Sequence, residues 1–390
     1  MLDWLIVGGG VHGTLLSRVL VEEAGTPPDR VRVLDPHPEP LARFRQCARA
    51  TGLDYLRSSV VHHLDGDPMS LRWFAHERRR CGELHGIYQR PALALFASHC
   101  DAVIDRQRLR ALRVRGEATD IVREGASALR VETTAGTLSA RRVVLALGGS
   151  ERPLWPEWAA ALRAAGGAVR HVFEPGFGLD DALRWRSPVV VGGGLSAVQV
   201  ALWLAARRGG GVTLLARHSL RIHEFDADSR WMGPWGAGAF ARIAGRAERR
   251  EVIGRERRRG SVPAHFAREV ARRVGEGGLA LLEDEVASAS LAPAGNELTL
   301  RSGRRLGGDG ILLATGFDPR RPGGAFLDRT ISRLGLQYAG CGYPVVDASL
   351  RWSPGLYVTG PLAELEIGPV ARNILGARLA GQRLVAAARG

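Results

Sequence analysis

The sequence predicts an α/β protein built from two Rossmann-like units, the second of which is inserted into the first. Two segments with the same strand, turn and helix pattern support this prediction, one opening at Trp4 and the other at Pro188. Each has an apolar run, a glycine-rich turn and a helical pattern. Hydrophobic residues make up 45% of the 390 residues and charged residues 24%, which is typical of a chain that is folded throughout and long enough for two or three domains.

The composition excludes several kinds of chemistry. The 54 basic residues are all arginines, so Schiff-base catalysis by lysine is not available. The four cysteines, at positions 47, 81, 100 and 341, match neither a redox CxxC pair nor a zinc-ligand spacing. The net charge of +14 includes arginine clusters at 78–80 and 255–259 that lack interleaved aromatics. We interpret them as solvated faces and expect no nucleic acid partner.

No targeting or membrane segment is expected. The first residues lack a basic region before their apolar run, and the longest apolar stretch, 189–206, is interrupted by a glycine triplet and by Ser196 and Gln199. We therefore expect a cytoplasmic protein that makes no membrane contact.

The first unit carries a nucleotide-binding motif. Gly8, Gly10 and Gly13 form GxGxxG directly after a strand and at the start of a helix. In this arrangement the backbone approaches a pyrophosphate closely and the helix N–H groups bind it. Asp35 ends the next strand, where a carboxylate accepts a hydrogen bond from an adenosine ribose. Together these residues predict an adenine dinucleotide site.

The second unit carries a variant of the same motif. Gly192, Gly194 and Ala197 give GxGxxA, and Ser196 beside them is a candidate phosphate donor. The strand that follows ends in Arg217 rather than in an acid. A guanidinium there can pair with a 2′-phosphate, whereas a carboxylate would repel it. We therefore expect NADPH in this unit; the alternative is that Arg217 is an ordinary surface arginine.

The remaining segments set the expected domain limits. Residues 111–137 have the alternation of a small antiparallel meander, and a buried strand ending at Gly148 follows. Late in the chain two buried strands precede a helix expected to start near Pro369. We expect a first domain of residues 1–175 and 305–390 and a second of 176–304. The strand ends at Gly148 and at Gly360–Pro361 would then lie beside the first dinucleotide.

The segment DGILLATGFDPRRP, residues 309–322, resembles a motif of the flavin-dependent N-hydroxylating monooxygenases that act on ornithine, lysine or related amines. With both glycine motifs in order, the resemblance covers nearly the whole chain. It implies a glutathione-reductase-like fold, FAD in the first unit and a nicotinamide cofactor in the second. It also implies that Thr315 and Gly316 lie at the junction of the two cofactor domains.

A second stretch, residues 56–68, is similar to the segment that wraps the flavin in this family, although it is shorter and divergent. By this similarity Arg57 and Ser58 fall near the flavin, and His62 replaces a lysine that contacts the substrate. That replacement puts ornithine or lysine as substrate in doubt. His62 and Arg57 are the only catalytic candidates. His62 and His63 lack the further ligands that a metal site needs, so no metal is expected.

The main functional hypothesis is a monooxygenase. NADPH would reduce FAD, O2 would form a C4a-hydroperoxyflavin, and a bound small-molecule amine or similar nucleophile would take the distal oxygen. One alternative is an NAD(P)H-dependent flavin reductase or dehydrogenase without oxygen transfer. Another is a flavin-bearing regulatory or binding protein that uses its basic surface. Residues 222–238, which mix aromatics, acids, glycine and proline, are expected to shape the substrate pocket.

The glycine motif and Asp35 predict that FAD rather than FMN copurifies with the protein. Gly10→Val should abolish flavin binding, because a side chain at Gly10 would fill the space that the pyrophosphate needs. Chromatography of the flavin released by denaturation identifies it. Release of FMN, or a folded protein unable to bind either flavin, would contradict the prediction.

Overall fold

The computed structural model describes residues 1–125, 127–293 and 295–389. The strands are β1 Leu2–Val7, β2 Val31–Asp35, β3 Leu84–His85, β4 Arg90–Pro91, β5 Arg113–Arg115, β6 Ala118–Glu124, β7 Ala128–Thr133, β8 Gly136–Leu145, β9 Val169–His171, β10 Pro188–Val191, β11 Val212–Ala216, β12 Arg221–Ile222, β13 Ser261–Val262, β14 Leu279–Glu283, β15 Val286–Ala292, β16 Gly295–Leu300, β17 Arg305–Gly308, β18 Gly310–Leu313, β19 Arg351–Ser353 and β20 Leu356–Val358.

The α-helices lie between and after these strands. They are α1 Val11–Glu22, α2 Ala42–Ala50, α3 Ser70–Glu77, α4 Leu93–Arg106, α5 Glu157–Ala164, α6 Leu195–Arg208, α7 Pro234–Ala241, α8 Arg246–Glu256, α9 Ala264–Gly275, α10 Gly324–Leu334, α11 Glu364–Ile367 and α12 Ile374–Arg389.

The first sheet has the strand order β19-β20-β8-β1-β2-β5, and its strands from β20 to β5 are parallel. The strands β1 and β8 end in the apolar runs Trp4–Val7 and Val143–Leu145, which are buried, as expected for parallel strands covered on both faces. α1 and α12 pack against each other beside this sheet. The carboxyl ends of β1, β2, β8 and β20 therefore meet at one edge.

The second sheet repeats this plan with the order β14-β11-β10-β18-β9, and all of its strands are parallel. In both units a glycine turn follows the central strand, β1 or β10, and leads into a helix, α1 or α6. Each unit also has an antiparallel meander, formed by β6, β7 and the first half of β8 in one and by β15, β16 and β17 in the other. The predicted fold class, two Rossmann-like units, is confirmed.

Two strands differ from the expected domain limits. Val169–His171 and Gly310–Leu313 fall in ranges expected for the first domain, yet β9 and β18 both belong to the second sheet. The limits at 175 and 305 were wrong in this respect, because β18 pairs with β10 and β9 pairs with β18. The chain crosses from the first sheet to the second between β8 and β9, and it returns to the first sheet between β18 and β19. The division into two cofactor domains stays a proposal.

The two connections between the sheets bond to each other. Thr315 Oγ1 donates a hydrogen bond to the carbonyl oxygen of Leu154 at 2.5 Å, and Leu154 N donates to Gly316 O at 3.0 Å. His171, which is fully buried, lies 3.2 Å from Thr315 Oγ1 through Nε2 and accepts from Phe173 N at Nδ1. Because Nδ1 is an acceptor, Nε2 carries the proton and the imidazole is neutral. Burial accordingly lowers the pKa of His171 to about 4.

The last helix begins later than the sequence predicts. α12 starts at Ile374 rather than near Pro369. Asn373 supplies the cap, since its Oδ1 accepts a hydrogen bond from Gly376 N at 3.0 Å. Pro369 lies in the turn before it. In the described part of the chain, no helix combines the length and apolar character that crossing a membrane requires.

Thr315→Val should lower the free energy of unfolding by about 1–3 kcal/mol, because it leaves the buried His171 Nε2–H without an acceptor. Urea denaturation measures the change. Thr330→Val is the control: Thr330 is a buried threonine whose hydroxyl donates a hydrogen bond only to Phe326 O in its own helix. Equal losses in the two variants would show that the Thr315 hydroxyl has no special role between the connections.

Candidate functional site

In the first glycine turn, residues 8–13, two glycines are closely packed and a third faces open space. Gly8 has φ +111°, and a Cβ on it would lie 2.6 Å from the O atom of Ala146, the residue directly after the neighbouring strand β8. A Cβ on Gly13 would lie 1.7 Å from Gly8 O, so helix and strand approach too closely for any side chain there. Gly10, which caps α1, has no atom within 4 Å of its Cβ position. The free space lies at the helix N-terminus, where a pyrophosphate binds.

Asp35 lies beside this turn, as predicted. Its carboxylate accepts hydrogen bonds from Gly9 N at 2.5 Å and from His37 N at 2.9 Å, and Arg113 Nη2 lies 3.3 Å from Oδ1. A Cβ on Gly9 would lie 2.2 Å from Arg113 Nη1. Neither Gly9 nor Arg113 was predicted from the sequence. The signal that could have identified Arg113 is its position at the start of β5, the strand that pairs with β2.

These features fit an adenine dinucleotide. An open helix N-terminus and a strand-end carboxylate lie on the same edge of the sheet, and Gly10 has no side chain to fill the space between them. Bound there, the pyrophosphate would face the N–H groups of the first turn of α1, which carry the positive end of the helix dipole. Gly8, Gly10, Gly13 and Asp35 thus lie together at one edge of the first sheet, and their role in cofactor binding stays a proposal.

The second glycine turn, residues 192–197, has the same construction. Gly192 has φ +148°, and its Cβ position lies 2.6 Å from Ala314 O and 3.1 Å from the Cβ of Ala197. Gly194 caps α6, as Gly10 caps α1. The two turns differ in one respect, because the Cβ position of Gly194 lies 3.1 Å from Gly260 Cα. A loop of the second unit therefore covers part of this turn, and Ser196 beside it is partly exposed.

Arg217 directly follows β11 and is exposed. Within the described residues no ion pair is present on its guanidinium. The ring of its neighbour His218 lies 3.5 Å from the Cβ position of Gly193. The end of β11 and the second glycine turn are thus adjacent, and the role of Arg217 in cofactor binding stays a proposal.

The other strand ends of the first sheet converge on the first glycine turn. The Cβ position of Gly149 lies 3.5 Å from Pro361 Cγ and 3.4 Å from Arg372 Nη1, while that of Gly148 is 3.9 Å from its nearest neighbour, Ser150 Oγ. Gly360, at φ +63°, faces the ring of His12 at 3.7 Å. Gly148, Gly360 and Pro361 therefore share one edge with the first glycine turn.

His12 is a site residue that sequence reasoning missed, although it stands inside the GxGxxG motif. Its Nδ1 lies 2.9 Å from Thr359 Oγ1, and its Nε2 is buried without a hydrogen bond in the described structure. Burial lowers the pKa of His12 to about 4, so the ring is neutral at pH 7. A neutral imidazole with one orphaned ring nitrogen is thus placed between the first glycine turn and the end of β20.

Arg57 does not have the free guanidinium expected of a flavin contact or catalytic group. Its donors bind the carbonyl oxygens of His223, Glu224 and Phe225 at 2.6–3.1 Å, and Nη2 binds Ser261 Oγ at 2.9 Å. The reason is local: three successive carbonyls of the segment 222–238 point at one guanidinium. Arg57 is therefore a positioning residue for that segment, and the partly buried Ser58 follows it.

The two neighbouring histidines have different environments. His63 is fully buried, and both ring nitrogens are bonded, Nδ1 to Asp65 N and Nε2 to Pro68 O. Burial lowers its pKa to about 3, and it is a structural residue. His62 is only partly exposed, and its pKa is lowered by burial and by Arg378. Of the two histidines, His62 therefore stays the candidate site residue.

The fold and the two glycine turns define the class of the protein: a two-Rossmann fold of the dinucleotide-binding type. A family profile described as FAD-NAD(P)-binding matches residues 5–150, which is less than half of the chain. No curated protein matches the sequence at a significant level.

Solved structures give the particular fold. An ornithine hydroxylase from Pseudomonas aeruginosa matches with a TM-score of 0.76 and 19% identity, over 99% of this chain and 98% of its own. A cadaverine monooxygenase from Erwinia amylovora, solved with FAD, matches at 0.77 and 15% over 100% and 94%. An ornithine N-hydroxylase from Kutzneria sp. 744, solved with reduced FAD, NADP+ and L-ornithine, matches at 0.76 and 16% over 100% and 99%. The family resemblance is thus confirmed at the level of the fold.

The position of Arg217 predicts a preference for NADPH over NADH. Arg217→Ala should raise the KM for NADPH by about tenfold to a hundredfold, the effect of one partly desolvated charge-assisted pair, and leave that for NADH nearly unchanged. Arg217→Asp should shift the preference toward NADH. Steady-state rates of NADPH and NADH oxidation give the two KM values. Arg301→Ala is the control, because Arg301 is an exposed arginine at the meander of the second unit. Equal changes in the KM values for NADPH and NADH would show that Arg217 is only a surface charge.

Proposed function

We propose that the protein is an FAD-dependent, NADPH-using monooxygenase that hydroxylates an amine or a similar nucleophile. The observation that carries the proposal is the pair of glycine turns of matching construction, each at the carboxyl end of a parallel sheet and each followed by a helix. One suits a dinucleotide with an adenosine ribose at Asp35, and the other a dinucleotide with a 2′-phosphate at Arg217. Two cofactors of different kinds are therefore accommodated in one chain.

The structural neighbours support the same activity. Proteins of this fold hydroxylate ornithine and cadaverine, and another neighbour is an L-lysine 6-monooxygenase from Pseudomonas syringae. All of these substrates are primary amines. The substrates of these neighbours include two amino acids and a diamine, so the fold accommodates substrates with or without a carboxylate.

The residues of the chain have defined tasks in this proposal. Gly8, Gly10, Gly13 and Asp35 hold FAD, while Gly192, Gly194, Ser196, Ala197 and Arg217 hold NADPH. Bound FAD would supply the redox chemistry of the hydroxylation, with NADPH as its reductant. Gly148, Gly360 and Pro361 leave the edge of the first sheet without bulky side chains. Thr315 and Gly316 fix the junction of the domains.

The proposed oxygen transfer is chemistry that the cofactor supplies, so the chain itself needs few acid and base groups. An amine must be neutral to act as a nucleophile, so a neutral imidazole is a suitable neighbour for it. The pKa values of His12 and His62 are both lowered, because burial disfavours the charged ring. We propose His62 as the side chain nearest to the substrate amine and His12 as a neighbour of the first cofactor.

The proposal predicts that a primary amine stimulates NADPH oxidation and yields one hydroxylated product. The test incubates the flavin-loaded protein with a panel of diamines and amino acids and detects a mass increase of one oxygen by mass spectrometry. Gly10→Val, which should lack flavin, is the negative control. NADPH oxidation that reduces a dye or quinone but hydroxylates no amine would instead establish the flavin reductase alternative.

A further inference from the structure

A short loop of the second unit, residues 258–261, lies over the second glycine turn; we call it the covering loop. The Cα of Gly260 lies 3.1 Å from the Cβ position of Gly194, and the carbonyl carbon and oxygen of Gly260 lie at 3.7 and 3.9 Å. In the first unit, no described residue other than its chain neighbours comes within 4 Å of the Cβ position of Gly10. The second glycine of such a turn is the one that lets the backbone approach a pyrophosphate. In the second unit, the chain itself therefore fills the space that is open in the first.

The covering loop is tied to the segment that contains Asp226. Arg258 N donates a hydrogen bond to Asp226 O at 2.8 Å, and within the loop Ser261 N donates to Arg258 O at 3.2 Å. Ser261 is buried and begins β13, which pairs with β12. The position of Gly260 over the second turn is thus fixed by backbone hydrogen bonds on the side of the loop that faces this segment.

Arg57, from the first unit, binds both the covering loop and this segment. Its Nη1 donates to Ser261 O at 3.3 Å and its Nη2 to Ser261 Oγ at 2.9 Å. The same guanidinium binds the three carbonyls of residues 223–225. The buried Arg90 supports it, since Arg90 Nε donates to Arg57 O at 3.2 Å and Nη2 binds the Glu224 carboxylate at 2.8 Å. A clamp from the first unit therefore ends on the loop that covers the second turn.

The outer side of the covering loop has room for movement. Gly260 is exposed, and no described residue other than its chain neighbours lies within 4 Å of its own Cβ position. The loop can therefore swing outward at Gly260 while β13 stays in place, provided that the hydrogen bonds between Arg57 and Ser261 give way.

We propose that the covering loop is a gate over the second cofactor turn and that Arg57 is the positioning residue that keeps it closed. A pyrophosphate that approaches Gly194 must displace Gly260, because the two cannot occupy the same space. The apparent affinity is then the intrinsic affinity reduced by the fraction of molecules in which the gate is open. This inference rests on the proposed function, because it concerns the access of the nicotinamide cofactor to its proposed site.

The test measures the dissociation constant of NADP+ by calorimetry on the flavin-loaded protein. Arg57→Gln should bind NADP+ about threefold to tenfold more tightly than the wild type, because fewer hydrogen bonds must break when the gate opens. Arg57→Lys, which keeps a charged donor, should lie between the two. Ser261→Ala removes the hydroxyl that accepts from Arg57 and should tighten binding about twofold to threefold. This second variant keeps the test decisive if Arg57→Gln does not fold.

Arg123→Gln is the matched control. Like Arg57, Arg123 binds a backbone carbonyl and a serine hydroxyl, those of Pro354 at 2.6 Å and Ser353 at 3.0 Å, but it lies in the meander of the first unit. Its dissociation constant for NADP+ should equal that of the wild type.

Hydrogen exchange gives a readout that a merely structural role of Arg57 would not produce. The amides of Arg258 and Ser261 are hydrogen-bonded in the covering loop. NADP+ should make these two amides exchange faster, because it displaces the loop, whereas a ligand that packs on the loop would slow them. Arg57→Gln should raise their exchange rate without any ligand.

Three results would overturn the inference. They are NADP+ binding that is unchanged or weaker in both Arg57→Gln and Ser261→Ala, slower exchange of the two amides on addition of NADP+, and no NADP+ binding by the wild type or either variant. Neither calorimetry nor hydrogen exchange needs oxygen transfer. A gate that behaves as expected in a protein that hydroxylates no amine would therefore overturn only the proposed function.

Discussion

Both units depend on the close approach of a glycine turn to the carbonyl at the end of a neighbouring strand. The Cβ positions of Gly8 and Gly192 each lie 2.6 Å from a carbonyl oxygen, that of Ala146 in one unit and Ala314 in the other. No side chain fits there, so the central strand, its neighbour and the following helix keep their spacing only with glycine at these positions. That spacing places each helix N-terminus at the edge of its sheet, and the proposed cofactor positions follow from it.

Much of this arrangement could be predicted from the sequence, because glycine spacing after an apolar strand is a local pattern with one dominant structural explanation. The turns, the meanders and the carboxylate of Asp35 belong to this class. The partners of β18 could not be predicted, since an apolar run such as Gly310–Leu313 is equally suited to either sheet. The start of α12 depends on one cap, Asn373, which competes with a proline that suits a helix start equally well.

The least predictable part of the site was the arrangement of arginines. Arg57, Arg113 and Arg257 have no sequence feature that tells them apart, yet their environments differ. Arg57 is bonded to backbone carbonyls, Arg113 is paired with Asp35 as well as bonded to carbonyls, and Arg257 makes no side-chain hydrogen bond within the described residues. Contacts with residues distant in sequence decide which environment each arginine has. A chain without lysine uses guanidinium groups for all such tasks, and their five donors suit the binding of several carbonyls at once, as Arg57 and Arg90 do around Glu224.

The position of the second sheet in the sequence has a consequence for the first. All five strands of the second sheet lie in the continuous stretch 169–313, whereas the first sheet is assembled from residues on both sides of that stretch. The two connections that enter and leave this stretch run antiparallel and are hydrogen-bonded to each other at Thr315 and Leu154. They therefore cannot move apart without breaking these hydrogen bonds, so the start and the end of the second unit are held together where the chain crosses from one sheet to the other.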